Sequence, residues 1–205
     1  MSTIPLALEG YTDLPVGKFA NVVTYLEMRA RPPARLVAPW PDLGLKRLKG
    51  ADVDHYLSIY RVLGERWLWW SRLAAPRESI VALLDRPDVE AYALTCRGED
   101  AGLLELDFRD IQAAELAFFG VYEPLIGTGA ATWLMAQAID KAWDRSPPRF
   151  FAHTCTFDHP RAVHFYQRNG FVPYKFAIEV DDDPRLTGAL PRTAGKHVPV
   201  IERAR

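Results

Sequence analysis

The segment ELAFFGVYEPLIGTGAA at residues 115–131 runs straight into the apolar-periodic TWLMAQAIDKAW, and nothing else in the chain limits the fold as tightly. Its aromatic and β-branched start predicts a strand, and the periodicity that follows predicts a helix beginning near Gly129. Gly127 and Gly129 let the connecting turn curl closely. The first N–H groups of the new helix have no intrahelical acceptors, and they sit at the positive end of its dipole. Such a turn holds an anion without lysine or arginine. A pyrophosphate is the expected ligand, which makes a nucleotide-bearing cofactor a candidate.

The rest of the chain supplies elements around this unit. Residues 1–17 are punctuated by Pro and Gly and read as an irregular arm. VVTYLEM (22–28) has strand composition, and the RPPARLVAPWP run after it breaks either periodicity. Residues 43–48 read as a short strand. Asp52 is placed to cap a helix through VDHYLSIYRVLGERW, where Val53, Tyr56, Leu57, Tyr60 and Leu63 recur at helical spacing. A second helix is predicted over 77–84, ended by Arg86-Pro87. Three strands follow at 89–96, 102–109 and 115–121, with turns at Gly98-Glu99-Asp100 and around Asp110. The helix opened by Gly129 ends near Asp144–Arg145, ahead of Pro147-Pro148.

Residues 149–157 form the next strand, 160–169 a short helix and 171–180 the last strand. Pro160 suits the first helical position and Gly170 a left-handed C-terminal cap. The remainder, 181–205, is a Pro- and Gly-rich tail. Helices inserted among mostly adjacent strands make an α/β layer with a mixed sheet. One domain is expected, divided into an arm with an extra strand (1–42), a core (43–180) and the tail.

Composition excludes several classes. The 205 residues carry a formal net charge of −1, so no global field draws the chain to nucleic acid or an anionic membrane. The basic clusters Arg29, Arg31, Arg35 and Lys46, Arg47, Lys49 match no nucleic-acid motif. Cys96 and Cys155 stand far apart without CxxC or zinc spacing, so the expectation is free thiols in a reducing cytoplasm and no metal. The N-terminus lacks the basic start and apolar core of a signal peptide. No window reaches the roughly 18 apolar residues of a membrane span.

Two motifs then resemble one family. Ile126-Gly127-Thr128-Gly129-Ala130-Ala131 is similar to the Q/R-x-x-G-x-G/A motif of the GNAT acetyltransferase superfamily. HPRAVHFYQRNGF (159–171) resembles its second motif, N-x-x-A-x-x-L-Y-x-K-x-G-F. The similarity covers about 43–180 and is strongest over 115–171. FFGVYEPLIGTG and HTCTFDHP further resemble an uncharacterised bacterial branch of that superfamily. The resemblance implies a mostly antiparallel central sheet flanked by helices, with acetyl-CoA as co-substrate. Two positions depart: Ile126 stands where the family has Gln or Arg, and Ala131 replaces the last Gly. Loss of one charge-assisted bond at Ile126 costs about 1–3 kcal/mol, which a main-chain phosphate site survives.

The resemblance also implies roles. Glu115 matches the catalytic glutamate of histone-acetylating members. Attack on a thioester needs a neutral amine, and a carboxylate among Leu116, Ala117, Phe118 and Phe119 is expected to be poorly solvated and to act as base. The alternative is a solvent-facing or arginine-paired glutamate. Tyr166 occupies the position whose phenol protonates the departing thiolate, or it is a core aromatic. The cofactor site comprises Phe119, Val121, Ile126, Gly127, Thr128, Gly129, Ala130, Ala131, Thr132 and His159. The main-chain N–H of Val121 and its neighbours polarise the acyl carbonyl. His159 stands where the family often has asparagine, and it also reads as a helix cap before Pro160.

Other groups invite weaker readings. His153 and Cys155 share a strand face, but one strand does not set a thiol–imidazole hydrogen bond, and direct transfer needs no enzyme nucleophile. Trp67, Trp69 and Trp70, with Tyr56 and Tyr60, either wall an acceptor pocket or pack a core. Glu65, Glu105 and Asp107 add negative potential for a cationic amine or form a solvated face. The expected activity is acyl-CoA-dependent N-acetylation of a small-molecule or peptide amine, with a non-catalytic CoA-binding module as the alternative. A homodimer is possible, and no nucleic-acid or membrane partner is expected.

Overall fold

The first strand of the chain lies one strand in from an edge of the sheet, between two strands that are near the end of the sequence. The computed structural model describes residues 5–33 and 40–202, so Arg35 and most of the Pro-rich run lie outside the described residues. The strands are β1 (Lys18–Met28), β2 (Leu43–Leu48), β3 (Val89–Cys96), β4 (Glu99–Asp110), β5 (Ala113–Val121), β6 (Phe150–Cys155) and β7 (Val172–Asp182). The helices are α1 (Val53–Gly64), α2 (Ser71–Ala74), α3 (Arg77–Leu84), α4 (Ala130–Trp143), α5 (Ala162–Arg168) and α6 (Pro184–Thr187). Short 3₁₀ turns stand at Gly50–Asp52, Glu65–Trp67 and Glu123–Leu125.

The strands form one seven-stranded sheet in the order β2-β3-β4-β5-β6-β1-β7. Every neighbouring pair is antiparallel except β5 and β6, which α4 joins as a crossover. The mixed, mostly antiparallel α/β arrangement is as expected. β1 pairs with β6 on one side and β7 on the other, so the 22–28 strand belongs to the sheet itself and begins earlier, at Lys18.

Each face of the sheet has its own core. On one, Leu134, Met135, Ala138 and Ala142 of α4 pack with Tyr166 of α5 against Leu26, Leu104, Leu106, Leu116, Phe150 and Ala152. On the other, Tyr56, Ile59, Tyr60 and Leu63 of α1 and Ile80 and Leu84 of α3 cover Leu48, Ala91, Ala93 and Leu103. Residues one apart on a strand fall on opposite faces, so β2, β3, β4 and β5 serve both cores, while β1 and β6 give buried side chains to the α4–α5 core alone.

Several local expectations shift. The β3–β4 turn is Arg97-Gly98, not Gly98-Glu99-Asp100, because Cys96 and Glu99 are already paired. Both turn residues have positive φ, 54° and 86°, as a two-residue hairpin requires. Asp52 precedes α1 but spends its carboxylate on the Lys49 N–H. α5 starts at Ala162, so Pro160 lies in the turn before it, whereas Gly170 takes the left-handed cap conformation at φ 98°.

The tail is more ordered than its composition suggests. Asp183 caps α6 and pairs with Arg185, which is buried. The Arg185 guanidinium also donates to the carbonyls of Ala194 and Val198, which pins the returning chain. Among the described residues no helix is long and apolar enough to cross a membrane.

Candidate active site

β5 and β6 stay together for only three register pairs, Ala114↔Phe150, Glu115↔Phe151 and Leu116↔Ala152. Beyond Leu116 the β6 side of β5 is unpaired, which opens a gap in the middle of the sheet. The Tyr122 N–H donates to the Ala101 carbonyl at 2.7 Å, so by the alternation of an antiparallel ladder Gly120 and Tyr122 face β4. Phe119 and Val121 therefore present their main-chain groups to the gap. A register shift beside Ala117 re-aims the strand at the same place.

The glycine turn lies at the end of this gap. Gly127 and Gly129 have φ of 84° and 103°, which only glycine adopts at little cost. Among the described residues no protein acceptor takes the N–H groups of Gly127, Gly129, Ala131 or Thr132. Thr128 braces the turn, donating through Oγ1 to the Leu125 carbonyl and accepting from the Ala130 N–H. A Cβ on Gly129 would lie 3.6 Å from Nε1 of Trp40, a residue beside the cradle that no sequence spacing singled out. The half-exposed Ile126 side chain brings no charge, so the cradle is a main-chain site.

Tyr166 is buried on the α4–α5 face against Phe119, Phe165 and Phe171. Burial, and after it the negative charge of Asp158, raises its phenol well above the ordinary value of 10. No protein group among the described residues bonds its hydroxyl, so the proton is held and uncommitted. No sequence pattern singles out Asp158. It accepts from Thr154 Oγ1 (2.7 Å), the Cys155 N–H (2.9 Å) and Trp69 Nε1 (2.9 Å), which ties the turn after β6 to the segment before α2.

Glu115 faces the other side of the sheet, because its neighbour Leu116 is in the α4 core. It is not a lone acid among apolar side chains, as its sequence neighbours suggest. Its carboxylate lies 3.3 Å from His153 Nε2, and the two side chains are 28% and 45% exposed. The hydrogen bond to Glu115 raises His153 above its ordinary 6.5 against the opposing effect of burial. Tyr25 lies over His153 with ring centroids 5.4 Å apart.

Glu105 and Asp107, expected on a solvated face, are both buried. Glu105 accepts from Arg72 at 2.6 Å and from the Tyr56 hydroxyl, while Arg109 binds Asp107. The Glu105 carboxylate and the Tyr56 phenol raise Arg72 despite its burial. Arg72 in turn stacks on Phe118, whose ring also meets Tyr60 and Trp69. The Trp67–Trp70 run divides three ways: Trp69 faces Phe118, Trp67 packs on His159 and His197, and Trp70 joins the tail cluster around Leu68 and Leu190.

A family model described as the acetyltransferase (GNAT) family matches residues 56–171. The chain belongs to the GNAT acetyltransferase family. No curated protein matches it in sequence. A functionally unknown conserved protein from Staphylococcus epidermidis shares the fold at 14% identity and TM-score 0.59, covering 82% of this chain and 64% of its own. A GCN5-related N-acetyltransferase from Sphaerobacter thermophilus follows at 13% identity and TM-score 0.57, over 80% of this chain and 52% of that one. An aminoglycoside acetyltransferase from an uncultured soil metagenomic sample, in complex with sisomicin, has 15% identity and TM-score 0.52, over 63% of this chain and 88% of its own. The chain thus spans less than two thirds of the first two, and at these identities the likeness is one of fold.

Within this GNAT fold the motif residues fall into three groups around one gap. The cradle closes its end, Tyr166 and Phe119 line one face, and Glu115 with His153 lines the other. His159 lies in the turn before α5, where its Nδ1 accepts from the Arg161 N–H at 3.1 Å. Cys155, two residues from His153 on the same face, has its thiol pushed up to about 12 by burial, so it is no nucleophile at neutral pH. Among the described residues no cluster of three or more His, Cys, Asp or Glu could hold a metal ion.

Proposed function

We propose that this chain is an acyl-CoA-dependent N-acyltransferase that moves an acetyl group onto the amine of a small molecule or peptide. The carrying observation is the set of unpartnered N–H groups at Gly127, Gly129, Ala131 and Thr132, which fits the pyrophosphate of coenzyme A in shape and charge. The thioester co-substrate supplies the acyl group. The free main-chain N–H groups of Phe119 and Val121 polarise its carbonyl where negative charge develops. Glu115, held by His153, takes the ammonium proton so that the neutral amine attacks. As the new N–C bond forms and the C–S bond breaks, Tyr166 gives its proton to the thiolate, and the second proton shed by the acylated nitrogen restores the phenol. Trp69 and Phe118 wall the acceptor side.

A ligand that binds only the folded state raises the melting temperature, so CoA and acetyl-CoA are expected to do so. Gly129→Glu puts a strained side chain and a negative charge into the cradle and is expected to abolish the shift. Unchanged affinity in that variant removes the pyrophosphate assignment. Wild-type protein incubated with acetyl-CoA and a panel of amines is expected to release free thiol with a matching mass increase on one acceptor class. CoA affinity without amine-dependent thiol release would make the chain a CoA-binding module instead.

A further inference from the structure

β7 is an edge strand of eleven residues, and it carries an apolar stripe that none of the described residues covers. Phe176 is 73% exposed, Ile178 50% and Val180 44%, and on β1 Val22, directly opposite Ile178, is 43% exposed. Paired residues point to one face, so these four side chains form a continuous patch beside an open backbone edge. A long, exposed, apolar edge strand is a template for pairing.

The free hydrogen bonds of this edge can be assigned. The Asp183 N–H donates to the Gly17 carbonyl at 2.9 Å, and the β1–β7 register runs unshifted from Lys18↔Asp182 to Tyr25↔Lys175. Odd-numbered β7 residues therefore bond β1, and 176, 178 and 180 direct their N–H and C=O groups outward. The Thr156 N–H donates to the Val22 carbonyl, which independently sends even-numbered β1 groups to β6 and odd-numbered ones to β7.

We propose that β7 pairs antiparallel with β7 of a second copy about a two-fold axis at Ala177, joining two sheets into one. The stretch Lys175-Phe176-Ala177-Ile178-Glu179 is complementary to itself when reversed. In this register Lys175 meets Glu179 of the second copy and Glu179 meets its Lys175. Phe176 meets Ile178 on the apolar face, and Ala177 meets Ala177. The pairs 176–178 and 178–176 use the outward-facing hydrogen bonds, and Ala177 forms the non-hydrogen-bonded pair on the axis. Shifting the axis one residue toward the N-terminus sets Lys175 against Ala177 and loses both ion pairs. Lys175 and Glu179 lie on the opposite face from the apolar patch, Lys175 over the Tyr25 ring and Glu179 accepting from Asn21 at 2.7 Å. Charge and apolarity thus favour a second copy over an unrelated strand.

Sedimentation or light scattering of the full chain at tens of micromolar is expected to give twice the mass of one copy. Lys175→Glu and Glu179→Lys each place like charges across the axis and are expected to give single copies. Mixing these two variants sets the two carboxylates of one against the two ammonium groups of the other, and is expected to restore the doubled mass. That restoration also shows both variants to be folded. Ala177→Cys is expected to form a disulfide-linked dimer on mild oxidation, since a non-hydrogen-bonded pair brings Cα atoms to about 4.5 Å. Wild type is expected to form none through Cys96 or Cys155. A single-copy wild type, dimers that survive either charge variant, a mixture that stays single, or no cross-link at position 177 would each overturn the proposal.

Discussion

The two faces of the sheet meet the same gap with opposite chemistry. On the α4–α5 side the lining is Phe119, Phe165, Phe171 and the unbonded phenol of Tyr166. On the α1–α3 side the acids near the gap are engaged: Glu115 with His153, Glu105 with Arg72 and Tyr56, and Asp107 with Arg109. Asp158 joins the two by bonding Trp69 while its charge reaches Tyr166. In the proposed mechanism the apolar face keeps a proton on a phenol, and the charged face takes one from an ammonium. One sheet separates the two tasks because neighbouring residues on a strand point to opposite sides.

The largest expected effect tests the charged face. Glu115→Gln keeps size and removes the proton acceptor, so kcat/KM for the identified amine is expected to fall by about two to four orders of magnitude near neutral pH. Acetyl-CoA affinity is expected to stay the same, because Glu115 is no part of the cradle. Wild-type-like turnover would move the base to His153 or a water, and the comparison of faces would lose its chemical meaning.

Next in size is the buried ion pair. Glu105→Ala leaves the Arg72 charge with no carboxylate inside the α1–α2 layer, at an expected cost of about 3–5 kcal/mol in urea unfolding. Replacing Glu105, Arg72 and Tyr56 together by Leu, Leu and Phe is expected to be close to neutral in stability. A small loss in the single variant would mean that this face is less desolvated than its burial indicates.

Tyr166→Phe sharpens the contrast from the apolar side. No hydrogen bond to a described residue is lost, so folding stability is expected to hold while turnover drops about 10- to 1000-fold under conditions where chemistry limits. Equal turnover would reduce Tyr166 to packing.

The smallest effect is a pH dependence. His153 has a raised pKa in the folded chain, so its pairing contributes fully below its unfolded value of 6.5 and is lost as pH rises through the folded value. The melting-temperature difference between wild type and His153→Gln is expected to be largest near pH 6 and to shrink above neutrality. A difference that grows with pH would contradict the Glu115–His153 pairing.

Much of the fold is legible because its signals are local. The three-strand meander, α3 and the strand–turn–helix at 115–143 follow from alternation, periodicity and glycine. The paired motifs point to Gly127, Gly129 and Tyr166 because a positive φ and a helix register leave marks in a single stretch of chain. Glu115 is found by position, but its surroundings are not: adjacent letters in a strand are on opposite faces, so Leu116 and Phe119 say nothing about what touches its carboxylate. The same blindness leaves Glu105 and Asp107 reading as solvated, when Tyr56 of α1 and Arg72 of α2 reach Glu105 and Arg109 covers Asp107.

By itself the sequence determined the order and type of the main strands and helices and the glycine turn, since each depends on dihedral preference and periodicity within a few residues, but it did not mark the short helices α2 and α6. Only the tertiary structure decided that β1 enters between β6 and β7, that Asp158 reaches Trp69, that Glu115 meets His153 and that β7 is left with an open apolar edge. Those features join segments far apart in the chain. Their energies come from pairing and burial across the sheet, which no local pattern records.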